Sequence, residues 1–296
     1  MPSSRQLQRV ALAAGLLVSF ALAGCAGLSD AGSPTPSATD TATPTASATE
    51  TPALTPSAPN ETVSDRLPAG FDETGVGNVS EAIRTHQTQA LETPGVVTHT
   101  TNSTARGRSV TAAVRVSATA NATRVRYVSE AGVTTDNGTR DTTSVVAANG
   151  TSVRQYTLTD GNATLDNRRN RTELFDRAFR GLTTGTSPLR GTLQRGNFTV
   201  ATADQPTDTG AVTVRADRYV GDQLYDGENV VAYNATVRVT ADGLIRSATE
   251  TIIARQNGSE SRYRFTYNFA PQSVDLPAVP QVPADIRAQS GTDSDE

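Results

Sequence analysis

The sequence predicts an α+β fold: a long antiparallel meander curved into an open half-barrel, covered by two or three helices, after a disordered N-terminal stalk. Two observations predict the folded part. Apolar residues recur with a period of two through most of the chain beyond Val110, which points one side of each strand toward a core. Two shorter stretches have helical spacing instead, one near the start of the folded region and one in its middle. A third observation predicts the stalk, because residues before about 68 lack any large apolar pattern once the leader is passed.

Residues 1–24 read as a secretory signal peptide. Arg5 and Arg9 precede the apolar run Val10 to Leu22, and small residues follow at Ala23 and Gly24. A run of about 13 residues is too short to span a bilayer, which takes about 20. The ending Leu22-Ala23-Gly24-Cys25 resembles the lipobox of prokaryotic lipoproteins, in which a lipid alkylates the cysteine and cleavage leaves it as the first mature residue. Cys25 is the only cysteine, so no intramolecular disulfide can form. The alternatives are an ordinary cleaved signal with a chance cysteine, or an uncleaved anchor. The lipobox reading places the protein on the outer face of the cell membrane, attached through the Cys25 lipid.

Residues 25–67 form the expected stalk, rich in Ser, Thr and Pro, as in Pro34-Thr-Pro-Ser-Ala-Thr-Asp40. Such a segment has too little to bury to offset its ordering entropy. At about 3.1 Å per residue it reaches on the order of 100 Å. It reads either as a glycosylated stalk or as an undecorated spacer. The net charge is −4, every cation is an arginine, and removing Arg5 and Arg9 leaves 24 arginines against 30 carboxylates, or −6. An acidic, exported chain is not expected to bind nucleic acid. Arg168, Arg169 and Arg171 form one basic cluster, read as a solvated loop before a helix or as a contact for anionic headgroups.

The domain spans 68–285, with an acidic disordered tail at 286–296. Its first helix is capped by Asn78, with Glu81 at the capping-box position and an apolar stripe of Val79, Ala82, Ile83, Ala90 and Leu91, ended by Thr93-Pro94-Gly95. Strands are expected at Val110–Ala118, Arg124–Val128, Ser144–Ala148 and Ser152–Leu158, the last two joined by a two-residue Asn149-Gly150 turn. A second helix is expected at Thr172–Arg180, apolar at Leu174, Phe175, Ala178 and Phe179, with Gly181 terminating it, and Ser187-Pro188-Leu189 starts a further turn. Strands return at Phe198–Ala203, Ala211–Ala216, Val230–Ala241, Leu244–Ala254 and Ser261–Phe269, the last three divided by Asp242-Gly243 and Asn257-Gly258.

In the final strand Tyr263, Phe265, Tyr267 and Phe269 share one face, with Arg262, Arg264, Thr266 and Asn268 on the other. The aromatic stripe reads as the core face of a half-buried sheet or as a ligand wall, joined by Val237 and Val239, with its Phe269 end closer to a ligand mouth. Eleven of fourteen asparagines begin Asn-x-Ser/Thr, enough to make some glycosylation expected in an exported chain: Asn60, Asn78, Asn102, Asn121, Asn137, Asn149, Asn162, Asn170, Asn197, Asn234 and Asn257.

The lipobox, the stalk, the pair Val237-Arg-Val-Thr-Ala-Asp-Gly-Leu-Ile-Arg246 and the closing Tyr263-Arg-Phe-Thr-Tyr-Asn-Phe269 before Val274-Asp-Leu-Pro277 resemble an uncharacterised haloarchaeal surface lipoprotein family. The all-arginine, Asp-rich charge resembles that of extreme halophiles. The same order is distantly similar to LolA/LprG-type lipoprotein carriers, a resemblance that implies an open half-barrel whose concave face, closed by helices, takes acyl chains. No catalytic pattern accompanies it: His86 and His99 fit no metal-ligand spacing, and the nucleophile-elbow, P-loop and dinucleotide motifs are absent. Asp222, Asp226 and Glu228 read as a solvated turn or as oxygens for a hard cation, without EF-hand spacing. An enzyme is therefore not expected, and neither a cofactor nor a metal is assigned. The expected functions are a lipoprotein that binds or carries a hydrophobic, lipid-like ligand, or a glycosylated structural or partner-binding envelope protein without one.

Overall fold

The computed structural model describes residues 67–149, 152–159, 162–169, 180–201, 211–221, 224–225 and 229–277. The signal segment, Leu22 to Cys25, the stalk with Asn60, the 170–179 stretch with Asn170 and Arg171, the carboxylates Asp222, Asp226 and Glu228, and the acidic tail lie outside them.

A two-residue ribbon, β1 (Phe71–Asp72) and β2 (Gly75–Val76), leads into helix α1 (Val79–Glu92). The Asn78 side chain accepts from the Glu81 N–H at 3.1 Å, which satisfies one of the open donors of the first turn. Glu81 does not complete a reciprocal box: the Asn78 N–H goes to the Gly70 carbonyl, and Glu81 lies 3.6 Å from Arg84. The helix stops because Thr93 is extended before Pro94, which disfavours the helical region for its predecessor.

The chain then enters β3 (Gly95–Ala105), β4 (Arg108–Ala118), β5 (Val125–Thr135), β6 (Gly138–Ala148), β7 (Val153–Thr159) and β8 (Asn162–Arg169). Helices α2 (Arg180–Thr184) and α3 (Thr186–Arg195) follow, then β9 (Thr199–Val200), β10 (Val212–Ala216), β11 (Val230–Val239), β12 (Ile245–Gln256) and β13 (Ser259–Pro271), the last element among the described residues. The eleven strands from β3 onward form one antiparallel sheet in the order β8-β7-β6-β5-β4-β3-β13-β12-β11-β10-β9, left open between β8 and β9. It is an open half-barrel with helices on its inner face.

Several elements differ from the sequence reading. Strand β3 was not anticipated, because its inner half abuts the helix-stop signal and its outer half is a run of Thr, Asn and Ser without apolar alternation. Arg168 and Arg169 belong to β8 instead of a loop, held there by pairing with Arg154 and Val153. Gly181 does not end a helix but lies within α2, and Ser187-Pro188-Leu189 falls in the first turn of α3, where the missing proline N–H costs no bond. The β6–β7 connection holds four residues instead of two, since Ala148 pairs with Val153 and Asn149 Oδ1 accepts from the Ser152 N–H at 2.9 Å. The Asn257-Gly258 turn does take the two-residue form, with both residues at positive φ (52° and 77°) and Gln256 opposite Ser259.

Cross-strand register fixes which side chains share the inner face. Tyr267 lies between His99 and Ala248, and Phe265 between Thr101 and Glu250. Val97 opposes Val116, which opposes Tyr127, which opposes Val146. Ala82, Ile83, His86 and Ala90 of α1 and Leu189 and Leu193 of α3 pack onto this face and complete one continuous core with Val214, Val237, Val239, Ile245 and Ile252. The small residues on α1 let the helix lie close to the sheet.

Candidate functional site

Along its strands the inner face divides into two zones. The helix-covered zone is filled: Phe265, Tyr267 and Phe269 are buried together with Val237 and Val239. Three of the four stripe aromatics are therefore core side chains. The fourth, Tyr263, is half-buried, so the stripe opens at Tyr263, whereas the sequence reading put the opening at Phe269. The reversal follows from where the helices sit, which strand alternation cannot reveal.

The filled zone is pinned by two polar clusters. His86 on α1 is fully buried; its Nδ1 accepts from the Ile245 N–H at 3.1 Å, which leaves the proton on Nε2, 3.0 Å from the Thr184 carbonyl. The Tyr267 hydroxyl donates to the same carbonyl at 3.1 Å. One imidazole thus ties α1 to α2, β12 and β13, and burial holds its pKa down at about 4. His99, against Phe265 on β3, is held down to about 4 by burial as well.

The second cluster centres on Glu250, which points from β12 into the core. Its carboxylate accepts from Arg195 Nε at 2.9 Å and Arg195 Nη2 at 2.5 Å, from Thr192 Oγ1 at 3.0 Å and from the Tyr233 hydroxyl at 3.1 Å. Burial disfavours the Arg195 charge, but hydrogen bonding and attraction to Glu250 outweigh it and raise the Arg195 pKa. Burial, and then the Glu250 charge, push the Tyr233 pKa up. The guanidinium also lies 5.7 Å from the Tyr263 ring centre, and burial raises Tyr263 to about 12. Arg195 and Glu250 escaped the sequence reading; the available signal was a lone carboxylate in phase with the inward-facing Ala248, Ile252 and Ala254.

Beyond Tyr263 lies the second zone, a trough. Val110 opposes Val133 and Ala112 opposes Ala131 across β4 and β5, with Ser103 and Thr101 beside them on β3. All six are half-buried on the inner face. Tyr225 closes one side of it: its hydroxyl is hydrogen-bonded with Ser103, and its backbone is joined to the Tyr219 hydroxyl at 3.3 and 3.4 Å. These six side chains are short, branched or methyl-sized and uncharged, which suits dispersion contact with an aliphatic chain, and Arg140 opposes Val133 at the β6 edge of the same face. Among the described residues the trough holds no nucleophile–base pair. Among the described residues no three His, Cys, Asp or Glu side chains converge on a metal-sized site.

Of the sequon asparagines, Asn78, Asn102, Asn121, Asn137, Asn197, Asn234 and Asn257 are exposed and Asn149 is half-buried; Asn162 starts β8. Asn102 and Asn234 lie within strands on the outer face; Asn78, Asn121, Asn137, Asn149, Asn197 and Asn257 lie in turns, caps or connections.

Neither a family model nor a curated protein matches the chain. Among solved structures it is similar to LprF from Mycobacterium bovis, at 13% identity and a TM-score of 0.31, covering 67% of this chain and 95% of that one. A beta-barrel-like protein of domain of unknown function DUF1849 from Brucella abortus matches at 12% identity and a TM-score of 0.24, covering 60% and 98%. A DUF1329 family protein from Desulfovibrio piger matches at 7% and 0.22, covering 65% and 91%. At these values none of them bears on what the chain binds.

Proposed function

We propose that the protein is a lipoprotein, anchored through Cys25 on the outer face of the membrane, whose half-barrel binds or carries a hydrophobic, lipid-like ligand. The observation that supports this reading most is the trough: aliphatic side chains on the inner face, half-buried, beyond the zone the described helices fill. An inner face built only as a core would be covered along its whole length, since each exposed methylene forgoes about 0.8 kcal/mol of burial. The aliphatic tail lies along Val110, Ala112, Ala131 and Val133, and the ring of Tyr263 meets its inner end. No chemical step is assigned in this reading, and the ligand leaves unchanged.

Full-length protein purified from its native membrane is extracted with organic solvent, which leaves a thioether-linked lipid on Cys25, and the extract is analysed by mass spectrometry. Near-stoichiometric lipid is expected from the wild type and little from Ala131→Glu, whose carboxylate would be desolvated against the ligand. If wild type releases no lipid and added membrane lipid shifts no melting temperature, the carrier reading gives way to the structural or partner-binding one.

A further inference from the structure

The outer face of the sheet carries a second hollow that a hydrophobic ligand does not use. Where β13, β3, β4, β5 and β6 lie side by side, a depression of about 750 Å³ opens on it. That volume is within the range of small-molecule sites, roughly 300–1,000 Å³. Its wall is polar: Arg264 opposes Asn102, Asn102 opposes Thr111, Thr111 opposes Gly132 and Gly132 opposes Asp141, a row across five strands with Glu130 beside it. Gly132 keeps the floor low. A Cβ there would stand 2.9 Å from Asp141 Oδ1 and 3.0 Å from Thr111 Oγ1, so both side chains would have to shift to admit one.

The chemistry of the wall narrows the ligand class. Its lining has no apolar side chain larger than alanine and carries three charged groups and an amide, so it suits an acyl chain less than the trough does. Two carboxylates line it against one guanidinium, a balance that does not favour phosphate or sulfate. The groups present are a guanidinium that only donates, carboxylates that only accept, and amide and hydroxyl groups that do both. A vicinal diol, in which each oxygen both donates and accepts, satisfies that mixture. The geometry points to a saccharide-binding hollow on the outer face, distinct from the trough on the inner one. The sugar has two sources, and one is in the wall itself: Asn102 begins the sequon Asn102-Ser103-Thr104, so a glycan on its amide would start inside the depression. The other is a free saccharide or a glycolipid head.

Periodate, which cleaves exposed vicinal diols, distinguishes the sources in the full-length native protein when glycopeptides are followed by mass spectrometry. If the chain's own glycan fills the hollow, the Asn102 glycopeptide is present and oxidises about tenfold more slowly than the one at Asn257, an exposed turn; tenfold corresponds to about 1.4 kcal/mol of contact. Arg264→Gln should abolish that difference with an unchanged melting temperature. If Asn102 is bare, methyl glycosides of glucose, mannose and galactose are titrated by saturation-transfer NMR. Binding that is lost in both Arg264→Gln and Glu130→Gln supports the free-sugar source. A glycan at Asn102 as reactive as that at Asn257, or a bare Asn102 with no glycoside signal, overturns the inference.

Discussion

Removing the Glu250 carboxylate should cost more than any other single polar change in the domain. Glu250 is 1% exposed and Arg195 6%, and the carboxylate collects four hydrogen bonds, two of them from the guanidinium. In Glu250→Gln, the amide nitrogen turns a donor toward Arg195, Thr192 or Tyr233, and the arginine cannot shed its proton. Breaking one side of a buried pair costs about 3–5 kcal/mol, a large part of the 5–15 kcal/mol that stabilises a typical domain. The double variant Arg195→Met with Glu250→Leu leaves no buried charge and should recover most of that loss. Urea melts of wild type, Arg195→Met, Glu250→Leu and the double variant form a cycle, with shifts in midpoint at constant m reporting stability. Because the pair is buried, the coupling should survive salt of about 1 M, where exposed pairs are screened beyond about 3 Å. A Glu250→Gln cost below about 1 kcal/mol, or single costs that simply add in the double variant, would refute the reasoning.

Acid should destabilise the fold through its histidines. His86 and His99 take up protons near pH 6.5 when unfolded but only near 4 when folded, so the unfolded state holds more protons between these values. Their contribution is complete above about 6.5 and falls as pH drops toward 4, by up to roughly 3 kcal/mol for each; urea midpoints from pH 7 to 4.5 that do not flatten in the His86→Gln, His99→Gln double variant would count against it. Phe265→Ala, at a fully buried site, should cost about 3–5 kcal/mol, and Tyr263→Ala on the order of 1.5 kcal/mol with a larger loss of lipid capture; equal costs by thermal melt would show that the stripe does not open at Tyr263. Cys25→Ser should release the protein from the membrane or leave it uncleaved, because stable attachment takes about two hydrocarbon chains; a processed Ser variant that still partitions wholly into detergent refutes the anchor.

What could be read from the sequence was local. Asn78 before an apolar helical stripe and Asn257-Gly258 between alternating runs specify their structures through residues a few positions apart, and the structure has both. The aromatic phase of β13 was equally plain. Which end of it the helices cover was not, since Phe269 and Tyr263 differ in what packs on them from distant parts of the chain and not in their own alternation. β3 was obscured because Thr98, Thr100, Asn102 and Thr104 face outward and are polar while the inner positions of its distal half are Thr101 and Ser103, so no contrast marks the strand. The Arg195–Glu250 pair joins a helix to a strand 55 positions away, with no local signature.

The strand order has a consequence for how the molecule is made. Every neighbouring pair in the sheet is a hairpin or a short return except one: β3, the first long strand synthesised, bonds to β13, the last. The leading half of the sheet can zip up strand by strand as the chain emerges, and so can the trailing half, because each step closes a short loop. The ladder from Ser261–Ala105 to Pro271–Gly95 alone must wait for the end of translation or export. Until then the β3 edge offers eleven residues of unpaired backbone, a template for another nascent copy as readily as for β13. Assembly thus has one late seam at the centre of the sheet, and a chain truncated before Ser259 would leave it open for good.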